Sequence, residues 1–374
     1  MSKQPAAILW DAQPHTIAKI KILENYLLRW FEILGRTPNR SKRDLWYIDG
    51  FAGPGEYTNA QDGSPIAALG AAEAALRSAA NNWLAGKINC VFIEQHTGRF
   101  QHLQQKVNGK YATVTHHFIN SSFVDGIAEL QKLRPNPFLG ASPLFTFIDP
   151  FGATGAPFSV VKSLLSLDTS EVLINFDSDG VGRIRLAEES AGHEVNLNSI
   201  FGDDSWTREL VIDRTANELY QSVLRLYKKK LLEIPGVRYV FAFEMRSPSQ
   251  GINYHLVFAS KHYLGLEKMK EAMKALAQNG EYAFSSSGES QPMLFKFDEP
   301  EDHAQQLRDV FRGRTLAYDE LRDYALNESP FTNPKAMLKL LEEKGQISVS
   351  STNPKRRRGT FPDADKSLRI SILN

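Results

Sequence analysis

Five short apolar runs alternate with stretches of helical periodicity through the first half of the chain, and that alternation narrows the fold more than any other feature. The runs at 44–48, 87–93, 112–119, 143–148 and 171–176 have the β-branched and aromatic content of buried strands. Between them, at 64–76, 97–107, 123–133 and 159–167, apolar residues recur at three- and four-residue spacings. Strand and helix in regular succession imply a parallel sheet covered by helices on both faces. Pro143-Leu-Phe-Thr-Phe-Ile148 is nearly all apolar, as suits a central strand buried on both sides. One more helix precedes the first strand, with Ile17, Ile20, Leu23, Leu27, Trp30, Phe31 and Leu34 on its apolar stripe and Lys19 and Lys21 expected on the wetter side.

Several of these strands end in polar residues, which a parallel sheet brings to one rim. The first runs into Tyr47-Ile-Asp-Gly-Phe-Ala-Gly-Pro-Gly55, and the helix after it opens on Ser64 as N-cap with Pro65 at its first position. Gly50, Gly53 and Gly55 let backbone approach a ligand closely, as a nucleotide-like cofactor requires at the carboxyl end of a strand; the other reading is an ordinary tight βα turn. Glu94 ends the second strand, where an acid accepts hydrogen bonds from ribose hydroxyls in dinucleotide and methyl-donor folds, or stays merely solvated. The third strand ends at Asn120 and the fourth at Asp149.

Residues 178–233 are more polar and helical in pattern, and read as a lobe inserted near the open rim. Apolar runs at 237–245 and 252–260 flank the turn-rich Ser247-Pro-Ser-Gln-Gly251, a hairpin signal. A parallel sheet that finishes in an antiparallel hairpin separates the class I methyltransferase topology from that of the dinucleotide-binding dehydrogenases. The sequence thus divides into a Rossmann-like domain over 1–280, a Gly-, Ser- and Pro-rich linker at 281–300, and a C-terminal domain over 301–374. In the last of these, helices near 301–312, 318–325 and 334–344 precede strands near 345–349 and 366–373, a winged-helix arrangement. Its expected wing tip is Asn353-Pro-Lys-Arg-Arg-Arg-Gly359, so Lys355, Arg356, Arg357 and Arg358, with Lys335 and Lys339 on the third helix, are candidate phosphate contacts, or else a solvated basic loop.

Composition excludes several classes. With 44 Lys and Arg against 43 Asp and Glu over 374 residues, the net charge of +1 gives no global signal for a polyanion, so any such signal is local. A single cysteine, Cys90, rules out an internal disulfide and a multi-cysteine metal site. No metal-ligand cluster is evident: His116 and His117 are adjacent, hence on opposite strand faces, and His255 and His262 fall in or beside a hairpin strand. With no long apolar span and no signal-peptide pattern, a cytoplasmic protein without membrane contact is expected.

Four blocks, Tyr47 to Gly55, Asp62-Gly-Ser-Pro65, Phe147-Ile-Asp-Pro-Phe-Gly152, and Leu256-Val-Phe-Ala-Ser-Lys-His262 with Gly265-Leu-Glu-Lys-Met-Lys270, together resemble the three-Cys-motif partner (TcmP) family over roughly residues 10–275. The resemblance implies a class I methyltransferase-like protein using S-adenosylmethionine, with a radical-SAM-like partner carrying three cysteines. Asp149-Pro150-Phe151 is also similar to the Asp-Pro-Pro-Tyr motif of enzymes that methylate exocyclic amino nitrogens, although Phe151 and Gly152 stand where its second proline and tyrosine would be. Phe51 takes the place of a glycine in the usual methyl-donor loop, and Pro54 stiffens it.

On that reading Asp49 lies near the cofactor ammonium, Gly50, Phe51, Gly53 and Gly55 form the loop beneath it, and Glu94 takes the ribose. Asn120 meets the adenine amino group between Ile93 and Phe123. Asp149, with Pro150, orients a target amine, and Phe151 stacks on its base. The expected function is methylation of an amino nitrogen in nucleic acid, RNA or DNA. The alternative is an inactive methyltransferase-like adaptor that binds nucleic acid, a radical-SAM-like partner, or both.

Overall fold

The computed structural model describes residues 7–38, 42–59, 61–187, 192–210, 215–247, 252–276, 283–285, 300–329 and 333–374. The alternation is observed as α1 (Pro14–Gly35), β1 (Leu45–Asp49), α2 (Ser64–Ala79), β2 (Ile88–Ile93), α3 (Thr97–Val107), β3 (Thr115–Ile119), α4 (Phe123–Leu130), β4 (Leu144–Ile148), α5 (Phe158–Leu165) and β5 (Ser170–Phe176). Then follow α6 (Ser178–Leu186), α7 (His193–Phe201), α8 (Trp206–Glu209), α9 (Ala216–Leu232), the hairpin strands β6 (Tyr239–Ser247) and β7 (Ile252–Ser260), and α10 (Tyr263–Lys274). The expected turn at 248–251 lies outside the described residues, as does most of the expected linker. Of that linker, β8 (Ala283–Ser285) adds an outer strand parallel to β6.

Strand order is β3-β2-β1-β4-β5-β7-β6-β8. β1 to β5 are parallel, while β7 runs antiparallel to both β5 and β6. The result is an α/β fold on a mostly parallel sheet with the expected terminal hairpin. Because the chain steps outward from β1 to β3 and returns to set β4 on the other side of β1, order reverses between β1 and β4. Such a switch point opens a crevice at the carboxyl ends of the strands, the usual place for a ligand in open α/β sheets. Asp49 and Asp149 end the two strands that flank it.

One face of the sheet carries α1, α2, α3 and α10 over Tyr47, Phe145 and Phe258, the other α4, α5 and the helices that follow β5 over Trp46, Ile48 and Val172. Two expectations are corrected here. Within the expected lobe at 178–233, α6 to α9 form a layer on the second face, where the Tyr227 ring stacks on Phe176 at 4.1 Å. Lys19 is not on the wet side of α1: only 7% exposed, it turns into the crevice, while Lys21 pairs with Glu24 at the surface.

The C-terminal unit consists of α11 (Pro300–Phe311), β9 (Thr315–Ala317), α12 (Tyr318–Glu328), α13 (Pro334–Glu343), β10 (Ile347–Ser350) and β11 (Arg369–Ile372). The third strand, β9, was not expected and pairs antiparallel with β11. Asn333 accepts the Ala336 N–H at the start of α13, with Pro334 in the first turn, so this helix begins where its cap and proline dictate. A core of its own holds Leu321, Leu338, Leu341 and Ile370.

The unit is bonded to the first residues of β6. The Asn327 amide accepts from Val240 N–H at 2.9 Å and donates to Arg238 O at 2.8 Å, as a neighbouring strand would. Fully buried Lys270 of α10 donates to the carbonyls of Leu326 and Ser329 at the end of α12. Asn327→Ala is expected to lower stability by about 1–2 kcal/mol in urea unfolding, with Asn327→Asp in between, since it keeps only the acceptor.

Candidate active site

The glycine loop is tied down on both sides. Gly50 donates to Phe147 O of β4 at 2.9 Å, Ala52 donates to Ile93 O of β2 at 2.9 Å, and Gly63 donates to Gly55 O at 2.8 Å. Gly53 and Gly55 have φ of +65° and +85°, so the loop's path requires glycine at both. Gly53 then aims its N–H at Glu94 Oε2, 2.8 Å away, and the other Glu94 oxygen takes the His96 N–H at 2.7 Å.

A cavity of about 400 Å³, within the size range of small-molecule sites, opens against this loop. Phe51, Gly53 and Gly55 line it, as do Asp149, Pro150 and Phe151. Gly50, Asp49 and Glu94 lie behind that wall, and Asn120 lies off it, using its amide to bond the carbonyls of Glu94 and Gln95. Ile93 and Phe123 are buried. Phe123 packs on Phe51 at 5.3 Å, so neither of the two residues expected to sandwich an adenine is open to the cavity.

Two carboxylates at the switch point are handled differently. Asp149 is balanced: Lys19 Nζ lies 2.6 Å from Oδ2, and Asn175 at the end of β5 donates to Oδ1 at 2.7 Å. Asp49 is 0% exposed and has no cationic partner among the described residues. It accepts from Phe51 N–H at 3.2 Å and Tyr47 hydroxyl at 3.3 Å. Burial pushes its carboxyl up to about 7, against the pull of the Ser64 hydroxyl and Phe51 N–H, and the nearby Asp149 charge adds to the rise. Asn175 Oδ1, on a residue lining the cavity, is buried without a hydrogen-bond partner among the described residues.

The sequence reading missed Trp10, His15, Lys19, Tyr57, Ser64, Asn175 and Tyr254, all of which line the cavity. His15 and Lys19 are one turn apart on α1, hence on one face. Burial and then the Lys19 charge lower the His15 imidazole to about 4, so it is neutral at pH 7, with its ring 5.7 Å from that of Tyr254. The cavity wall also bears Asp11, Glu56 and Asp177, and Lys19 is its only lysine among the described residues. Glu56 is shared between Lys106 and His102, and Asp177 caps α6 through Gly180 N–H. Among the described residues no group of three or more His, Cys, Asp or Glu side chains is arranged to hold a metal ion, and no helix is long and apolar enough to cross a membrane.

The basic candidates lie on the C-terminal unit, and none of them lines this cavity. Arg356 binds both oxygens of Glu342 at 2.8 Å, and Arg358 donates to Glu342 O at 2.6 Å, so both fasten their loop to the end of α13. Lys335 pairs with Asp363, and Lys339 lies 3.8 Å from Glu343. Lys355 and Arg357 are exposed and make no ion pair among the described residues.

No family model and no curated protein matches the chain. Among solved structures it is similar to an O-methyltransferase from Bacillus cereus in complex with SAH, at 14% identity over 69% of this chain and 84% of that one, with a TM-score of 0.35. It is similar also to a DUF574 family protein from Streptomyces avermitilis, at 11% identity over 64% and 83%, with a TM-score of 0.33. Scores this low carry no argument about its reaction.

Asp49 gives the site a pH signature. The proton it keeps in the fold between about pH 4 and 7 is lost in the unfolded chain, so the fold loses stability as pH rises through that window and regains none above it. Asp49→Asn is therefore expected to match the parent near pH 4 and to exceed it at pH 8 by on the order of 2–4 kcal/mol in ligand-free thermal melts.

Proposed function

We propose that the chain is an S-adenosylmethionine-dependent methyltransferase. The observation that carries this is Asp49, a buried carboxylate beneath a glycine loop with no cationic partner among the described residues. A ligand that brings its own positive charge completes such a site. A sulfonium cofactor with an ammonium group does so, whereas a pyrophosphate would meet Asp11, Glu56, Asp149 and Asp177 along the wall with Lys19 already engaged by Asp149. Gly53 and Gly55 pass beneath the methionine part, and Glu94, held by the Gly53 and His96 N–H groups, retains lone pairs for a diol. When bound, the cofactor supplies an activated methyl group, and the chain's task is to position an acceptor.

The acceptor we assign is an amino nitrogen of a nucleic-acid base, set against Asp149 and Pro150 with Phe151, 37% exposed, free to stack on the ring. Lys19 and Asn175 fix the Asp149 carboxylate so that its remaining lone pairs face the cavity. The topology of three helices and a three-stranded sheet supports reading the C-terminal unit as a winged helix. Lys355 and Arg357 are its open phosphate contacts, with Lys335 and Lys339 exchanging their carboxylates for phosphate. A radical-SAM-like protein is the partner that the motif resemblance suggests.

A second reading, an inactive methyltransferase-like adaptor for nucleic acid or that partner, is favoured by one observation: Asp149 is already bonded to Lys19 and Asn175. Incubation with methyl-labelled S-adenosylmethionine and total RNA, DNA and protein in parallel separates the two. Label in nucleosides is expected, and none in any pool would leave the adaptor. In calorimetry with S-adenosylmethionine, Asp49→Ala and Glu94→Ala are each expected to weaken binding tenfold or more. Undiminished affinity in both would remove the cofactor assignment.

A further inference from the structure

Residues 7–13 cross the mouth of the cavity outside any helix. They are fastened chiefly to the loop after Gly55. Trp10 O accepts from Thr58 N–H at 3.0 Å, and Asp11 accepts from the Thr58 hydroxyl. Ala12 and Asn59 exchange two hydrogen bonds, Ala12 N–H to Asn59 Oδ1 at 3.1 Å and Asn59 Nδ2 to Ala12 O at 3.0 Å. From α3, Arg99 Nη2 donates to Ala7 O at 3.2 Å. Trp10 lies against Tyr57 and Phe151, with ring centroids 5.6 and 6.0 Å apart, and the Arg99 guanidinium stacks on it at 4.8 Å. Ile8, Asp11 and Gln13 are exposed. Only the small side chain of Ala12 is fully buried. Hydrogen bonds to exposed Thr58 and Asn59, one bond from buried Arg99 and one half-buried ring hold the segment, the profile of an element that opens at low cost.

This strap separates two parts of the proposed cofactor site. The cavity wall includes Trp10, the glycine loop and Asp149 but not Glu94, which is 4% exposed. Burial lowers the Arg99 guanidinium against the pull of the nearby Glu94 charge, and Trp10 packs on that guanidinium. A ribose diol has no path to Glu94 while Trp10 and Arg99 keep this packing.

We infer that residues 7–13 are a displaceable gate over Glu94, which the adenosine half of the cofactor must open in order to bind. The inference rests on the reading of Glu94 as the ribose acceptor and concerns how that residue is reached. A gate that is mostly shut lowers apparent affinity by the fraction of time it is open, so loosening its fastenings tightens binding.

The test is titration of the full chain with S-adenosylhomocysteine by calorimetry and by stopped-flow tryptophan fluorescence. Asn59 is exposed, and Asn59→Ala removes two fastenings without touching the cavity wall. It is expected to bind about tenfold more tightly, with the gain in the association rate. Trp10→Phe is expected to bind but to lose the fluorescence change, which locates that change at the strap. Unchanged affinity in Asn59→Ala overturns the gate. So does weaker affinity with faster dissociation, which would make the strap a cover that closes on bound cofactor. Binding by Asn59→Ala alone supports both the gate and the cofactor reading, whereas binding by neither protein overturns the cofactor reading and the gate with it.

Discussion

The rim of this molecule depends on a carboxylate that folding alone gives no reason to keep. Asp49 ends a strand buried along its whole length, and an apolar residue there would avoid the cost of desolvating a charge. Instead the surroundings accommodate it: Tyr47, two residues back on the same face of β1, turns its hydroxyl to it, the loop folds the Phe51 N–H onto it, and Ser64 brings a hydroxyl from the start of α2. These partners reduce the cost without supplying a cation. Asp149 on the adjacent strand makes matters worse by its own charge, which is why Lys19 bears on the geometry of both acids. By neutralising Asp149 it lets two carboxylates share one switch point.

Lys19 also explains what α1 is for. Along most of its length the helix packs Leu23, Leu27 and Phe31 against the sheet and α2, an ordinary structural task. Its first turns reach the rim, and there the same face changes from apolar to functional. A lysine spans that change well, because its methylene stem lies along apolar neighbours while the ammonium reaches Asp149. With His15 one turn earlier and Trp10 just before the helix, a single stretch of chain closes the side of the crevice that the strand ends leave open.

Much of the sheet was legible because its signals are local. A central strand buried on both faces reads as an apolar run whatever surrounds it, and Gly53 and Gly55 follow from backbone angles that side-chain-bearing residues rarely adopt. Lys19 was misread because helical periodicity assigns a lysine to water, whereas its burial depends on Asp149, 130 positions away. Trp10 and His15 carried no motif and no periodicity, and only the tertiary fold brings them to the cavity. Arg356 and Arg358 looked like free charges in a basic run, yet Glu342 on α13 and the last carbonyls of that helix claim them. The three residues of β9 are too few to show an alternating pattern.

The direction of β6 bears on what the C-terminal unit can do. β6 is antiparallel to β7, which is antiparallel to β5, so β6 runs with the parallel strands. Its first residues, Arg238 to Val240, therefore lie at the end of the sheet opposite Asp49, Glu94 and Asp149, and that is where Asn327 takes hold. By register Val240 lies level, through Ala259 of β7, with Val172 of β5, three residues or about 10 Å along the strands before Asn175 on the cavity wall. An acceptor that touched both Asp149 and the C-terminal unit would run from one end of the sheet toward the other, which suits a polymer better than a small molecule.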